Sequence, residues 1–129
     1  MGVFLNHYIF VALGGGIGAC LRFALAGFIQ QTAPSIYFPL PTFTVNLLGC
    51  FCAGLLLAVT DRLGGISNSW HHLLMTGLLG GFTTFSAFGV ETIDLIKRGM
   101  FGHAALYAVG SVVAGVVALY VATTLAGRA

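Results

Sequence analysis

Charge in this sequence is confined to the margins of four long apolar stretches. No Asp, Glu, Lys or Arg occurs before Arg22, between Arg22 and Asp61, between Arg62 and Glu91, or between Arg98 and Arg128. Charged residues make up 6% of the 129 and hydrophobic ones 58%, whereas an ordinary soluble domain is about 25% charged. So few charges cannot cover a water-facing surface of domain size. The sequence therefore predicts an all-α integral membrane protein, because helices satisfy their own backbone groups in hydrocarbon. The first stretch is too long, and lacks the basic start and clean cleavage site, to read as a removable leader. Residues 1–129 read as a single membrane domain.

The spans are expected at about 4–28, 43–59, 72–96 and 101–125. The first is long enough to cross roughly 30 Å of hydrocarbon at about 1.5 Å per residue. Gly14 and Gly18 form a GxxxG pair, which lets a second helix approach closely. Gly14, Gly16 and Ala19 also fit a dinucleotide fingerprint loosely, but no strand precedes them and no acid follows before Asp61. Gln30-Gln31-Thr32 is expected to be a polar loop, and Pro34, Pro39 and Pro41 an irregular connection. Trp70 reads as an interfacial anchor. Adjacent His71 and His72 point about 100° apart on a helix, so a shared metal is not expected. Cys20, Cys50 and Cys52 lie inside apolar segments and read as small packing residues. Cys50 and Cys52 point about 200° apart on a helix, which excludes one metal between them.

The third span is interrupted. Its centre, Gly77 to Thr92, mixes glycines with Thr83, Thr84, Ser86, three phenylalanines and Glu91. A backbone group left free in hydrocarbon costs several kcal/mol, roughly, so such a sequence predicts a helix broken where protein or water can satisfy it. Unwinding around Gly80, Gly81 and Thr83 would free carbonyls, which are ligands for a hard cation. Phe85 and Phe88 are three apart and share a face if helix resumes there. They read as ordinary packing or, given their polar company, as the lining of an anion path. An aromatic ring presents a positive edge, which can meet an anion that a carboxylate would repel and a Lys would trap. Conduction needs binding strong enough to replace water and weak enough to release.

Other polar residues carry two readings each. Asn46, one turn inside the second span, either bonds a neighbouring helix or offers its amide to an anion. Arg22 either snorkels to the interface or places a positive charge in an aqueous vestibule. Tyr107 and Ser111 lie one turn apart and form a hydroxyl stripe. No Ser–His–Asp set, Walker loop or HExxH motif is present, and Glu91 alone near the polar centre is too little for two-role acid–base chemistry. The sequence does not read as an enzyme.

Four short spans are few to enclose a polar path, so a second copy is expected. Both termini fall on one side, with Arg62 and Arg128; the opposite side carries Lys97 and Arg98. Arg22 and the N-terminal amine extend the tie, leaving the positive-inside rule without a direction. Such a chain can insert both ways and pair with an inverted copy.

At these residues the sequence resembles the Fluc (CrcB) family of fluoride channels, in length and span number over the whole chain. The resemblance rests on Gly14 to Arg22, on Pro41-Thr42-Phe43-Thr44-Val45-Asn46-Leu47-Leu48-Gly49, on Gly80-Gly81-Phe82-Thr83-Thr84-Phe85-Ser86-Ala87-Phe88 with Glu91, and on Tyr107 with Ser111. It implies an antiparallel, dual-topology homodimer in the cell (inner) membrane, multi-pass, with two fluoride pores and no nucleic-acid partner. It further implies that Phe85, Phe88 and Asn46 belong to the pore, and Thr42, Thr84, Ser86, Glu91, Tyr107 and Ser111 to its polar lining. Arg22 matches a vestibule arginine, and Gly80 and Thr83 match the positions whose carbonyls hold a structural sodium ion. Ala87 stands where a threonine is common, and Gly115 where some members have a serine. The implied role is passive fluoride export: hydrogen fluoride enters, ionises in the more alkaline cytoplasm, and the anion leaves down its gradient, giving fluoride resistance. The rival reading is a small four-helix multidrug exporter, also an antiparallel dimer. Such exporters need a carboxylate in the first membrane helix, where this chain has only Arg22. A non-conducting packing protein would leave the interrupted motif unexplained.

Overall fold

Four helical segments long and apolar enough to cross a membrane make up a computed structural model of the chain, which describes residues 2–128 and the side chains of residues 6–127. Helix α1 runs Gly2–Thr32, α2 Leu40–Arg62 and α6 Phe101–Arg128. The third crossing is composite: α3 (Asn68–His71), a π-helical segment (His72–Leu79), α4 (Gly80–Phe82) and α5 (Phe85–Lys97). The protein is a multi-pass membrane protein. Arg128 and the N-terminal amine, used above in the charge tie, lie outside the described side chains.

The helices extend beyond the expected spans, for identifiable reasons. Gln30, Gln31 and Thr32 are the last turn of α1 rather than a loop, since nothing stops the helix until Ala33 meets Pro34. Helix α2 starts at Leu40 rather than near residue 43, because Pro39 and Pro41 fit at its first turn, where no N–H partner is needed. Ser67 caps α3 by accepting from the Trp70 N–H, which draws Trp70 and His71 into helix. At the far end of α5, Gly99 adopts φ 74°. This left-handed residue lets Gly99 N–H reach Ile96 C=O and Met100 N–H reach Leu95 C=O, both at 2.9 Å.

Helix α2 packs along α6, and α1 along the π-helical segment. Without a hydrophobic drive between helices in lipid, close approach and dispersion hold such contacts. Gly14 and Gly18 do face the third crossing: a methyl group on either would overlap the Leu73 or Leu78 carbonyl oxygen, respectively. A methyl group on Gly81 would overlap the Gly15 carbonyl oxygen. Cys50 Sγ packs against Gly115, and all three cysteines are free.

A buried core joins Tyr107 with Leu95 and Ala104. Phe38 and Phe88 lay their rings against Tyr107 at centroid distances of 5.3 and 5.2 Å, and Phe43 follows Phe38 at 5.3 Å. Large outward faces stay apolar, among them Phe23, Leu106, Val109 and Val116, as a hydrocarbon solvent permits.

Candidate functional site

The polar residues of the third crossing meet α2 and α6 where the backbone leaves helical geometry. Of the residues where unwinding is expected, Gly80, Gly81 and Thr83, only Thr83 is extended, and Thr84 joins it. Gly80 is helical, at φ −62° and ψ −39°, and Gly81 belongs to α4. Thr83 and Thr84 are the extended pair, with ψ 160° at Thr83 and φ −148°, ψ 119° at Thr84. Gly81 serves close helix approach instead; β-branched threonines tolerate extended backbone well.

Side chains take over the backbone's hydrogen bonds at this point. Thr83 ends α4 by donating both its N–H (3.0 Å) and its hydroxyl (2.9 Å) to Leu79 C=O. Asn46 then pairs with Thr84 as a strand would: Thr84 N–H donates to Oδ1 at 2.8 Å, and Nδ2 donates to Thr84 C=O at 3.0 Å. This pairing fixes the amide's orientation and leaves one Nδ2 hydrogen without a partner among the described residues. Thr84 Oγ1 caps α5 by accepting from Ala87 N–H at 3.2 Å. Two helical donors are thereby diverted. Thr84 N–H would otherwise close on Gly80 C=O, and Ala87 N–H on Thr83 C=O. On α1, Arg22 Nε donates to Gly81 C=O at 3.1 Å.

A cavity of about 260 Å³ opens beside the extended pair, lined by Asn46, Cys50, Thr83, Thr84, Phe85, Phe88, Ser111 and Val112. Phe85 and Phe88 are ring neighbours, 5.4 Å between centroids. They differ in setting: Phe85 is 82% exposed, whereas Phe88 is packed against Tyr107. Ser111 Oγ is buried without a hydrogen-bond partner among the described residues. A buried hydroxyl left so costs about 1–3 kcal/mol, so it stands ready for a ligand or water in the cavity.

Phe88 packs against Tyr107, whose hydroxyl reaches the carboxylate. Glu91 accepts from Thr42 Oγ1 at its Oε1 and from Tyr107 OH at its Oε2, both at 2.6 Å. Thr42 is buried, and no Lys, Arg or His forms an ion pair with Glu91 among the described residues. Glu91 and Thr42 also border a larger vestibule of about 690 Å³, rimmed by Phe23, Gln30, Asp94 and Arg98. Asp94 and Arg98 neutralise each other across 3.0 Å.

Asn46, Thr83, Thr84, Phe85, Phe88 and Ser111 thus share one cavity, while Thr42, Glu91 and Tyr107 form a second polar group behind Phe88. Ser86 is exposed and reaches Thr84 Oγ1 at 3.3 Å, and Gly80 is exposed on the flank of the break. Tyr107 and Ser111 do not form one continuous stripe. Tyr107 is spent on Glu91; Ser111 faces the cavity. Two features escaped the sequence reading: the Arg22–Gly81 bond, and Cys50 in the cavity wall. Cys50 was legible, since it sits four residues after Asn46 on the same helical face.

The sequence model of the family described as CrcB-like protein, Camphor Resistance (CrcB), matches residues 9–123. A protein of Methylobacillus flagellatus named "Fluoride-specific ion channel FluC" is 48% identical, over 90% of this chain and 91% of the relative. Its namesake in Novosphingobium aromaticivorans is 49% identical over 90% and 92%. One from Oceanobacillus iheyensis is 40% identical over 95% and 92%.

Proposed function

Since the chain belongs to the Fluc (CrcB) family of fluoride channels, we propose that it is a fluoride-specific channel that exports the anion passively as an antiparallel, dual-topology homodimer of the cell inner membrane. The observation that carries this reading is the cavity beside the extended pair. It brings two aromatic rings, one free amide hydrogen of Asn46 and the partnerless Ser111 hydroxyl to one small space.

Fluoride holds its water tightly, so entry must replace hydration with donors of moderate strength. Ring edges of Phe85 and Phe88, the Asn46 amide and the Ser111 hydroxyl supply positive potential without a full charge that would trap the ion. Larger anions would need more room and gain less from such short contacts. Beyond Phe88, the Tyr107 and Thr42 hydroxyls are turned to Glu91. A fluoride reaching this point competes for those donors, so Tyr107 and Thr42 would release the carboxylate as they turn to the anion. The Arg22 charge raises anion concentration near the entrance.

A sodium ion fits the flank of the break. Its candidate ligands are the Gly80 and Thr83 carbonyls, whose helical donors are diverted to Asn46 and to the Thr84 cap. Hard oxygens suit a hard cation. When bound, the ion would supply positive charge among carbonyl dipoles and tie two chains together. The tied charge count of the loops supports insertion in both orientations. The apolar faces of α5 and α6, including Val90, Ile93, Val112 and Val116, leave room for a second copy.

The deciding experiment loads liposomes carrying the purified protein with potassium fluoride and records efflux with a fluoride electrode, with chloride as control. Rapid fluoride loss without chloride loss is expected. Retention of both anions overturns the reading.

A further inference from the structure

Arg22 has a second task, separate from attracting anions. Its Nε–H donates to the Gly81 carbonyl at 3.1 Å. Gly81 belongs to the last turn before the extended pair. In a continuous helix that carbonyl would accept from Phe85 N–H, but Phe85 begins the next helix. The carbonyl is thus one of the orphans of a helix C-terminus, and C-terminal carbonyls carry partial negative charge in low dielectric. A guanidinium held against it answers both needs.

The approach is built, not incidental. Gly18, one turn before Arg22, lies so close that a methyl group there would overlap the Leu78 carbonyl oxygen, and Gly15 meets Gly81 backbone to backbone. These contacts hold the two helices in close approach, which brings Arg22 to Gly81. From the opposite side, Asn46 holds Thr84. The interruption is gripped between a charged donor on α1 and a two-way amide on α2.

We infer that Arg22 is a positioning residue: it caps the C-terminal end of the half-helix ending at Phe82 and thereby holds the Thr83–Thr84 backbone in its extended form. A charge serving only to attract anions acts on encounter, so its loss fades when fluoride saturates or salt screens it. A cap acts on the geometry of the cavity wall, so its loss persists under both conditions.

The test uses Arg22→Met in the full-length protein, which keeps the length of the side chain and removes the Nε–H donor, with two readouts. The first is deuterium exchange of peptides covering Leu79 to Phe88, which does not depend on the proposed transport activity. The second is initial fluoride efflux across a series of internal fluoride concentrations at low and high ionic strength, which does rest on that activity. Exchange faster by roughly tenfold, with efflux lowered at limiting fluoride and still lowered at saturating fluoride and in high salt, is the expected result. Wild-type exchange overturns the inference, as does an efflux defect confined to low fluoride and erased by salt. Failure of the wild-type protein to move fluoride would count against the channel reading alone, leaving the exchange result to judge the cap. Should Arg22→Met not assemble, Arg22→Lys keeps the charge without the planar Nε–H. Faster exchange in it supports the cap, and wild-type exchange with wild-type efflux overturns it.

Discussion

Asn46 binds Thr84 through both backbone groups of that residue, accepting its N–H at 2.8 Å and donating to its C=O at 3.0 Å. A side-chain amide thus stands in for the neighbouring strand that an extended residue inside a membrane otherwise lacks. Asn46→Asp keeps the acceptor but sets a carboxylate oxygen against the Thr84 carbonyl. Fluoride efflux is expected to fall at least tenfold, roughly, since an unsatisfied buried group costs about 1–3 kcal/mol. Efflux at the wild-type rate would show that the pairing is dispensable.

The two cavity rings should separate when replaced. Phe85 is mostly exposed, whereas Phe88 supports Tyr107. Phe85→Ile and Phe88→Ile should both slow fluoride efflux. Only Phe88→Ile should also lower the melting temperature in detergent, by an amount matching about 1–2 kcal/mol. Unchanged flux in both variants would remove the rings from the anion path.

Tyr107→Phe deletes one of the two hydroxyls on Glu91 and leaves the aromatic packing in place. A hydrogen bond to a charged group contributes about 1.5–3 kcal/mol, so a loss of that order in stability and a clear loss of flux are expected. Thr42→Val removes the other hydroxyl and should act alike. If the double variant is no worse than either single one, the two hydroxyls work as a unit rather than independently.

Helix approach can be tested apart from chemistry. Gly81→Ala places a methyl group on the Gly15 carbonyl and should destabilise by about 1–3 kcal/mol. Gly16→Ala meets no atom within 4 Å and should change stability by less than about 0.5 kcal/mol. Equal melting temperatures for the two variants would contradict the packing described for α1.

Replacing sodium with a larger monovalent cation throughout purification and assay should lower fluoride flux or thermal stability. Indifference to the cation would argue against Gly80 and Thr83 as its ligands.

The long helices were legible because hydrocarbon leaves so few charge patterns open, and Gly14 with Gly18 was legible because that spacing puts both on one face. The ends were not: Gln30 to Thr32 look like a loop by polarity, yet a helix already satisfying its backbone continues until Pro34 stops the next residue. The glycine run misled in a different way. Glycine serves both unwinding and close approach, and only the partner helix decides between them; with Gly15 opposite Gly81, close approach prevailed. Asn46 was found as a polar residue of note, but its partner, a backbone unit 38 residues away in sequence, leaves no local trace. The same holds for Arg22 and Gly81, which are 59 residues apart.

The π-helical segment His72–Leu79 has a consequence for how this sequence tolerates insertion and loss. Each of its hydrogen bonds spans one residue more than an α-helical bond. A single-residue deletion there could be absorbed by tightening to α-helix, with no residue replaced. Such a loss removes only the extra residue of the wide turn, so Gly81 would stay opposite Gly15, and Phe85 and Phe88 beside Asn46, whereas a deletion in α-helix turns everything downstream by about 100°. In this stretch a change of length is bearable that elsewhere along the third crossing would undo the site.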